Sequence, residues 1–224
     1  MQQRVKLTKR QIKEDSFTTF MLKSRRWLLD NWQFVVIGAV AVVLVITAVI
    51  YYANSQTAKR HESAARYARA LLDYRAGNNQ VAIMSLSQIL EDYGGTEVAA
   101  QAAFMLGKIN YSVRNYPEAI RHFEMYLSDA KGTKLKRAGA LAGIGASNED
   151  QGIYAEAARY FVQAYEEYPD GPLAGDYQTS AMRNLLEAGL PDQAAERLEM
   201  LREEFPDTEL LRRSERLFNE KSPG

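Results

Sequence analysis

Histidine and cysteine, the residues that most often bind metals or act as nucleophiles, are scarce in this chain. Its 224 residues include two histidines and no cysteine, so disulfides, thiolate catalysis and zinc–thiolate sites are excluded. His122 follows Glu118 by four residues, which on a helix would place both side chains on one face, where they could contact a metal. Because the other histidine, His61, lies in a separate charged stretch, the pattern favours a solvated helix face over a metal site.

Carboxylate pairs and a short glycine motif are present, but they lack the spacing that chemistry requires. Glu166-Glu167 and Glu203-Glu204 are chain neighbours, and neighbouring residues on a helix do not face each other. Gly143-Ile144-Gly145 has neither the third glycine nor the preceding strand of a phosphate-binding loop. The sequence therefore predicts a protein that is not an enzyme, with no catalytic residues, cofactor, metal or small-molecule substrate.

A net charge of zero conceals an uneven distribution of charge along the chain. Residues 1–52 contain eight Lys and Arg against three Asp and Glu, whereas residues 53–224 contain twenty against twenty-five. A basic head, an apolar segment and a mildly acidic body are typical of a membrane protein with a defined orientation. Because nucleic-acid binding requires a concentrated positive surface, the acidic body argues against a nucleic-acid partner.

The segment from Phe34 to Tyr52 is apolar throughout and carries no charge. A helix of this length, at 1.5 Å per residue, spans roughly the 30 Å hydrocarbon core of a bilayer. Trp32 at one end and Tyr51 at the other are typical of the aromatic residues found at membrane interfaces. The sequence therefore predicts a transmembrane helix over residues 34–52, in contact with the lipid bilayer.

A cleaved signal peptide is the alternative interpretation of this segment. The apolar part of a signal peptide spans about 7–15 residues and follows a short basic head. Here 33 residues precede a longer apolar run, and the only small-residue site nearby is Ala53-Asn54-Ser55. An uncleaved anchor is therefore favoured.

Basic residues near the apolar segment predict its orientation. Eight precede it and four follow within a comparable distance, and the side richer in Lys and Arg stays in the cytoplasm. Residues 1–33 are thus predicted to be cytoplasmic and the body to lie outside, which in a bacterium means an inner-membrane protein with a periplasmic domain. The head is either an amphipathic helix on the anionic leaflet or a solvated tail. The preceding residues are Arg4, Lys6, Lys9, Arg10, Lys13, Lys23, Arg25 and Arg26; the following ones are Lys59, Arg60, Arg66 and Arg69.

Four segments of the body recur at a nearly constant period. They begin at Gly77, Arg114, Gly152 and Gly189, and each has an alanine five positions later. These alanines, Ala82, Ala119, Ala157 and Ala194, are 37, 38 and 37 residues apart. A large apolar residue follows each alanine by four positions, at Leu86, Phe123, Phe161 and Leu198. Such self-similarity indicates a repeat architecture.

Each period predicts one helical hairpin. The turn-forming residues end one helix and begin the next, while the alanine allows the two helices to approach closely and the large residue packs between them. Ala70, Gly107 and Gly145 would allow the same approach from the first helix. With no strand-like alternation, the body is predicted to be all-α: about four hairpins stacked as a solenoid over residues 53–207. Residues 208–224 are predicted to form a capping helix and tail.

The segments Phe104–Leu127 and Gly139–Pro169 resemble the tetratricopeptide repeat family, and the resemblance covers roughly residues 60–210. The period exceeds the family's usual length of about 34 residues. Arg66 and Arg69 stand where the family prefers apolar residues, and Asn110 and Asn148 replace an expected aromatic residue.

The family resemblance implies a groove lined by the first helix of every hairpin. Aromatic residues would cluster in the first two repeats and acidic residues would follow, which suits the binding of an extended or helical peptide. The alternative is that the rings pack between repeats. The predicted partner-binding residues are Tyr67, Leu71, Tyr74, Phe104, Lys108, Tyr111 and Arg183, with Ala142, Ala146, Glu149, Asp150, Thr179 and Leu186 along the same groove.

The layout of one anchor and a repeat domain also resembles the ancillary subunits of the bacterial Sec translocon. This resemblance implies a membrane-tethered protein–protein interaction scaffold or chaperone-like adaptor that acts on exported or envelope proteins. Its partners would be translocon, envelope-assembly or membrane-complex subunits. One alternative is a structural accessory subunit of a large membrane complex, held by its transmembrane helix and repeats. Another is an anchored cytosolic receptor for targeting sequences.

Overall fold

The computed structural model describes residues 9–128 and 132–222, with side chains described for 18–55, 57–128 and 132–222. Arg4 and Lys6 of the basic head lie outside these residues. The described residues form ten α-helices and no strand, so the predicted all-α fold is confirmed. The helices are α1 (Lys9–Asp30), α2 (Trp32–Arg75), α3 (Asn79–Asp92), α4 (Glu97–Ser112), α5 (Tyr116–Leu127), α6 (Lys134–Asp150), α7 (Tyr154–Glu167), α8 (Ala174–Glu187), α9 (Pro191–Glu204) and α10 (Glu209–Lys221).

The chain divides into two compact units, residues 1–60 and residues 61–224. The first unit contains α1 and the beginning of α2. In the described part of the chain, α2 is the one helix long and apolar enough to cross a membrane. Its large apolar side chains are exposed, with Phe34 at 73% and Leu44 at 64%. Among the residues that the structure describes, none therefore covers this segment.

The second unit consists of four helical hairpins and a final helix. The end of α2, from His61, pairs with α3, and the pairs α4–α5, α6–α7 and α8–α9 follow in order. Each hairpin packs against the next, and α10 packs on α8 and α9. The four repeat alanines are fully buried where the paired helices approach each other, as predicted: Ala82, Ala119, Ala157 and Ala194.

Glycines on the first helices allow the large apolar residues of the second helices to insert. A Cβ atom on Gly107 would lie 2.6 Å from the ring of Phe123, and one on Gly145 would lie 3.1 Å from the ring of Phe161. Phe123 also contacts the following hairpin, since a Cβ on Gly143 would lie 2.5 Å from the same ring. Phe123 thus connects three helices, α4, α5 and α6.

The turn inside each hairpin uses one residue in the left-handed conformation, and the four residues are those that begin the four predicted segments. Gly77, Gly152 and Gly189 have φ of 83°, 77° and 73°, and Arg114 has φ of 62°. At the second turn, the Asn115 amide donates to the Asn110 carbonyl at 2.8 Å. This bond across five residues is the helix-ending pattern that favours glycine at the left-handed position.

Replacing Arg114 with glycine should raise the free energy of unfolding by about 0.5–1 kcal/mol. A side chain in the left-handed conformation costs about 1–2 kcal/mol, and the greater unfolded-state entropy of glycine offsets about 0.5–1 kcal/mol of that gain. Chemical denaturation of the repeat domain measures the change. Gly152→Ala, at the equivalent turn, is the matched control and should destabilise the domain; a destabilising Arg114→Gly would contradict this interpretation of the turn.

Threonine side chains cap the N-termini of α4, α6 and α10. The hydroxyl oxygen of Thr96 accepts from the Ala99 amide at 3.3 Å, and that of Thr208 accepts from the Leu211 amide at 3.1 Å. These bonds satisfy amide groups that have no partner inside a helix. Helix α10 covers the last hairpin with Leu211 and Leu217, so the predicted capping helix is present.

Candidate functional site

The histidine that could have marked a metal site is instead a buried structural residue. His122 is 4% exposed, and its Nδ1 lies 2.7 Å from the Glu118 carbonyl oxygen. Its Nε2 lies 3.0 Å from the Arg121 guanidinium. Because a carbonyl accepts and a guanidinium donates, Nδ1 carries the proton and the ring is neutral. Burial lowers the pKa of His122 accordingly. Among the side chains of residues 18–55, 57–128 and 132–222, no three His, Asp or Glu residues are grouped to hold a metal.

The predicted groove residues lie on the first helices of successive hairpins. Helices α4 and α6 are in direct contact, and an ion pair joins α6 to α8, so these helices stand side by side. We call the surface that they share the groove surface, and define it by Lys108, Tyr111, Glu149, Asp150 and Arg183, together with Tyr116 at the start of α5, whose ring lies beside Tyr111.

The first three of the predicted groove residues lie on α2 and contribute to the first hairpin. Tyr67 and Tyr74 are half-buried and pack against the core formed by Ala70, Leu86 and their neighbours. Burial raises the pKa of Tyr67. Leu71 is also half-buried. These rings therefore stabilise the hairpin by packing, and a role in partner binding stays a prediction.

Phe104 and Lys108 differ sharply in their environments. The Phe104 ring packs edge-on against Phe123, with ring centroids 5.8 Å apart, and lies 5.2 Å from the Tyr126 ring. It is thus a member of the second hairpin's core. Lys108, one turn further along α4, is exposed. Of these two predicted groove residues, Lys108 is the one whose whole side chain is available to a partner.

Two tyrosines and an aspartate converge where α4, α5 and α6 meet. The rings of Tyr111 and Tyr116 have centroids 5.9 Å apart, and both hydroxyl groups interact with the carboxylate of Asp150. Burial, together with the negative charge of Asp150, raises the pKa of Tyr111 to about 12. Tyr111 is therefore a neutral hydrogen-bond donor at physiological pH.

Arg183 is engaged by the neighbouring hairpin. Its Nε donates to one carboxylate oxygen of Glu149 and its Nη2 donates to the other, both at 2.9 Å. This two-pronged pairing is the strong geometry for a guanidinium and a carboxylate. The pair joins α6 to α8 while the two side chains are 24% and 37% exposed. A partner would therefore contact an ion pair here and not a free arginine.

Tyr116 is the groove residue that sequence reasoning did not identify. It is the first residue of α5, a second helix, whereas the groove was predicted on first helices alone. The available signal was its position two residues after Arg114, because the tight turn brings the start of one helix beside the end of the other.

The groove surface places aromatic rings beside negatively charged carboxylates. Tyr111 and Tyr116 supply large rigid apolar faces. The carboxylates of Glu149 and Asp150 lie at the end of α6, where the exposed carbonyl groups of the last turn add partial negative charge. Such a surface can accept hydrogen bonds from basic or amide groups while the rings pack against apolar side chains.

Comparisons with known proteins agree with this architecture. A crystal structure of a putative kinesin light chain from Podosopora anserina, with nearly identical TPR-like repeats, is similar with a TM-score of 0.55 and 15% identity. The alignment covers 70% of this chain and 83% of that one. The Cut9-Hcn1 hetero-tetramer of the APC/C is similar with a TM-score of 0.50 and 16% identity, over 68% of this chain and 29% of that one. At these identities, the similarity shows the fold alone.

Comparison with curated proteins gives no match. The sequence model of one family, described as a tetratricopeptide repeat-like domain, matches residues 25–167. The match spans more than half of the chain and includes the first three hairpins. Repeats of this type generally mediate protein–protein interactions, and their fold is typically a non-enzymatic scaffold. The chain belongs to the tetratricopeptide repeat-like domain family.

Proposed function

We propose that the protein is a membrane-tethered scaffold that works as a chaperone-like adaptor for exported or envelope proteins. The observation that carries this proposal is the groove surface around Tyr111, Tyr116 and Asp150, on a repeat domain whose chain continues into an uncovered apolar helix. In this proposal, the groove surface binds segments of other proteins, and the helix keeps the domain at the membrane.

The apolar helix supports membrane tethering through its length and exposure. Residues 34–52 carry no charge, and the most apolar window of α2 has no residue buried by the protein. Exposing this much apolar area to water would be costly, at roughly 25 cal/mol per Å². Insertion into a bilayer would remove this cost. The many basic residues on the N-terminal side of the span support a location of the repeats outside the cytoplasm.

The chemistry of the groove surface indicates the kind of segment that it would bind. Tyrosine rings favour apolar and aromatic side chains, and the carboxylates of Glu149 and Asp150 favour basic ones. A segment that combines both types, in an extended or short helical conformation, would fit this surface. Proteins that have not yet completed folding after export expose such segments, which is why we propose an adaptor and not a single fixed complex.

Photo-crosslinking from Lys108 tests this function. A benzophenone amino acid placed at this exposed position of the full-length chain, in its native host, should form adducts with several proteins. Tyr111→Ala should reduce these adducts about tenfold, because truncating a central aromatic residue typically costs more than 1 kcal/mol of binding free energy. The matched control is Tyr160→Ala: Tyr160 packs against the same core as Tyr111 but lies on α7, a second helix.

The pattern of adducts separates the possible outcomes. Several proteins, all sensitive to Tyr111→Ala, would support the adaptor. One protein in fixed proportion would instead favour a structural subunit of a membrane complex. No protein adduct, or equal loss with Tyr160→Ala, would exclude the groove surface as a binding site.

A further inference from the structure

The first hairpin exposes a position that every later hairpin buries. Leu72 lies ten residues before the repeat alanine of its hairpin, and its counterparts are Ile109, Ser147 and Asn184. These three are fully buried, whereas Leu72 is 63% exposed. The later residues are covered because a preceding hairpin packs on them. Leu72 therefore marks a packing face whose covering helix is not supplied by the repeats of this chain.

An arginine lies at the centre of this uncovered face. Arg69 is exposed, and its counterparts in the later hairpins, Leu106, Ile144 and Ala181, are fully buried. Arg69 forms no salt bridge with any carboxylate whose side chain the structure describes, in residues 18–55, 57–128 and 132–222. One turn away, Arg66 is by contrast paired with Glu62 and Asp92. A helix covering this face would have to place a group that complements a positive charge opposite Arg69.

Helix α3 adds exposed apolar residues beside this face. Val81 and Met84 are 49% and 65% exposed. In the second and third hairpins, the same positions hold the surface ion pairs Glu118–Arg121 and Glu156–Arg159. In the fourth hairpin they hold Gln193 and Glu196, which line a groove against α7 of the preceding hairpin. Val81 and Met84 are thus apolar at two exposed positions where the later hairpins carry charged or polar residues.

We propose that this surface binds an amphipathic helix of another protein that presents an aspartate or glutamate to Arg69. We call it the open seam, and define it by Arg69, Leu72, Val81 and Met84. The bound helix would take the place of the second helix of a preceding hairpin. Exposed apolar side chains around a single unpaired charge favour such a ligand. The apolar side chains would be buried by the apolar face of the bound helix, and the ion pair with Arg69 would fix the position of that helix along the surface.

Charge distinguishes this occupant from a second copy of the chain. Two copies anchored in the same membrane would meet in parallel and would bring one Arg69 close to the other. Like charges at the centre of an interface are unfavourable. The inference rests on the proposed function, because both require that the repeat domain bind other proteins.

Photo-crosslinking from Ala68, an exposed residue one turn before Leu72, tests the open seam in the full-length chain. A benzophenone amino acid at this position should give a discrete protein adduct in the native host. Arg69→Glu should reduce the adduct about tenfold or more, whereas Arg69→Lys should retain it. Arg121→Glu, on the surface of α5 away from the seam, is the matched control and should leave it unchanged. Mass spectrometry of the adduct should locate the crosslink in a helix that carries a carboxylate.

Charge exchange completes the test. Changing the identified carboxylate of the partner to lysine should restore the adduct with the Arg69→Glu chain. An adduct of twice the chain's own mass, an adduct with lipid alone, or a protein adduct insensitive to Arg69→Glu would overturn the inference. If Lys108 gives protein adducts and Ala68 gives none, the open seam is refuted while the proposed function stands. If neither position gives a protein adduct, both are refuted.

Discussion

Phe123→Ala should destabilise the repeat domain by about 3–5 kcal/mol, the usual cost of removing a buried phenylalanine ring. Phe123 is 2% exposed, and its ring lies between the backbones of Gly107 and Gly143. Because no side chain on either glycine can move into the space, the cavity would remain largely open. The loss is therefore expected at the upper end of this range.

The same substitution should also reduce the cooperativity of unfolding. Phe123 contacts its own hairpin through Gly107 and the next hairpin through Gly143, and repeat domains are stable only when neighbouring repeats are coupled. Denaturation of residues 61–224, followed by circular dichroism, should show a broader transition at lower denaturant. Met84→Ala, a change at a 65% exposed position, is the control and should alter stability by less than about 0.5 kcal/mol. A loss below about 1 kcal/mol for Phe123→Ala would contradict the packing described above.

Two arginines in the apolar segment should release the protein from the membrane. Val43 and Leu44 lie at the centre of residues 34–52, where each arginine costs about 2.5–3.5 kcal/mol of insertion free energy. Together, Val43→Arg and Leu44→Arg should cost about 5–7 kcal/mol, enough to shift most of the chain from the alkali-washed membrane pellet to the soluble fraction.

The matched control places the same charges beyond the segment. Ser55→Arg and Thr57→Arg lie on the same helix, α2, but outside the predicted span, so this variant should stay in the pellet. If the central arginines leave the chain in the pellet, the apolar segment is not what holds the protein at the membrane.

Sequence periodicity was sufficient to predict the hairpins, because their determinants are local. One hairpin is defined by three residues at fixed spacing: a turn residue, an alanine five positions later, and a large apolar residue four positions after the alanine. Gly152, Ala157 and Phe161 are one such set. The turn residues with a left-handed conformation are also the residues that begin the four recurring segments, because the turn too is determined locally. The second turn has Arg114 where the other three turns have glycine. Its position in the repeat still identified it as the turn residue.

Contacts between hairpins could not be predicted in the same way. Glu149 and Arg183 are 34 residues apart, and their pairing depends on how far α6 stands from α8. The partner of Gly143 is Phe123 of the preceding hairpin, and a repeat pattern could not identify it. The environment of Phe104, which packs in a core and not at an open groove surface, depends on the rotation of α4 about its axis.

Cysteine labelling in intact cells tests the central claim, a repeat domain tethered outside the cytoplasm, most directly. Because the chain has no cysteine, Thr19→Cys in the head and Glu166→Cys in the repeats each introduce a single exposed thiol. A membrane-impermeant maleimide should label Glu166→Cys in intact cells and Thr19→Cys only after the membrane is opened. Labelling of Thr19→Cys with protection of Glu166→Cys would place the repeats in the cytoplasm and contradict the account.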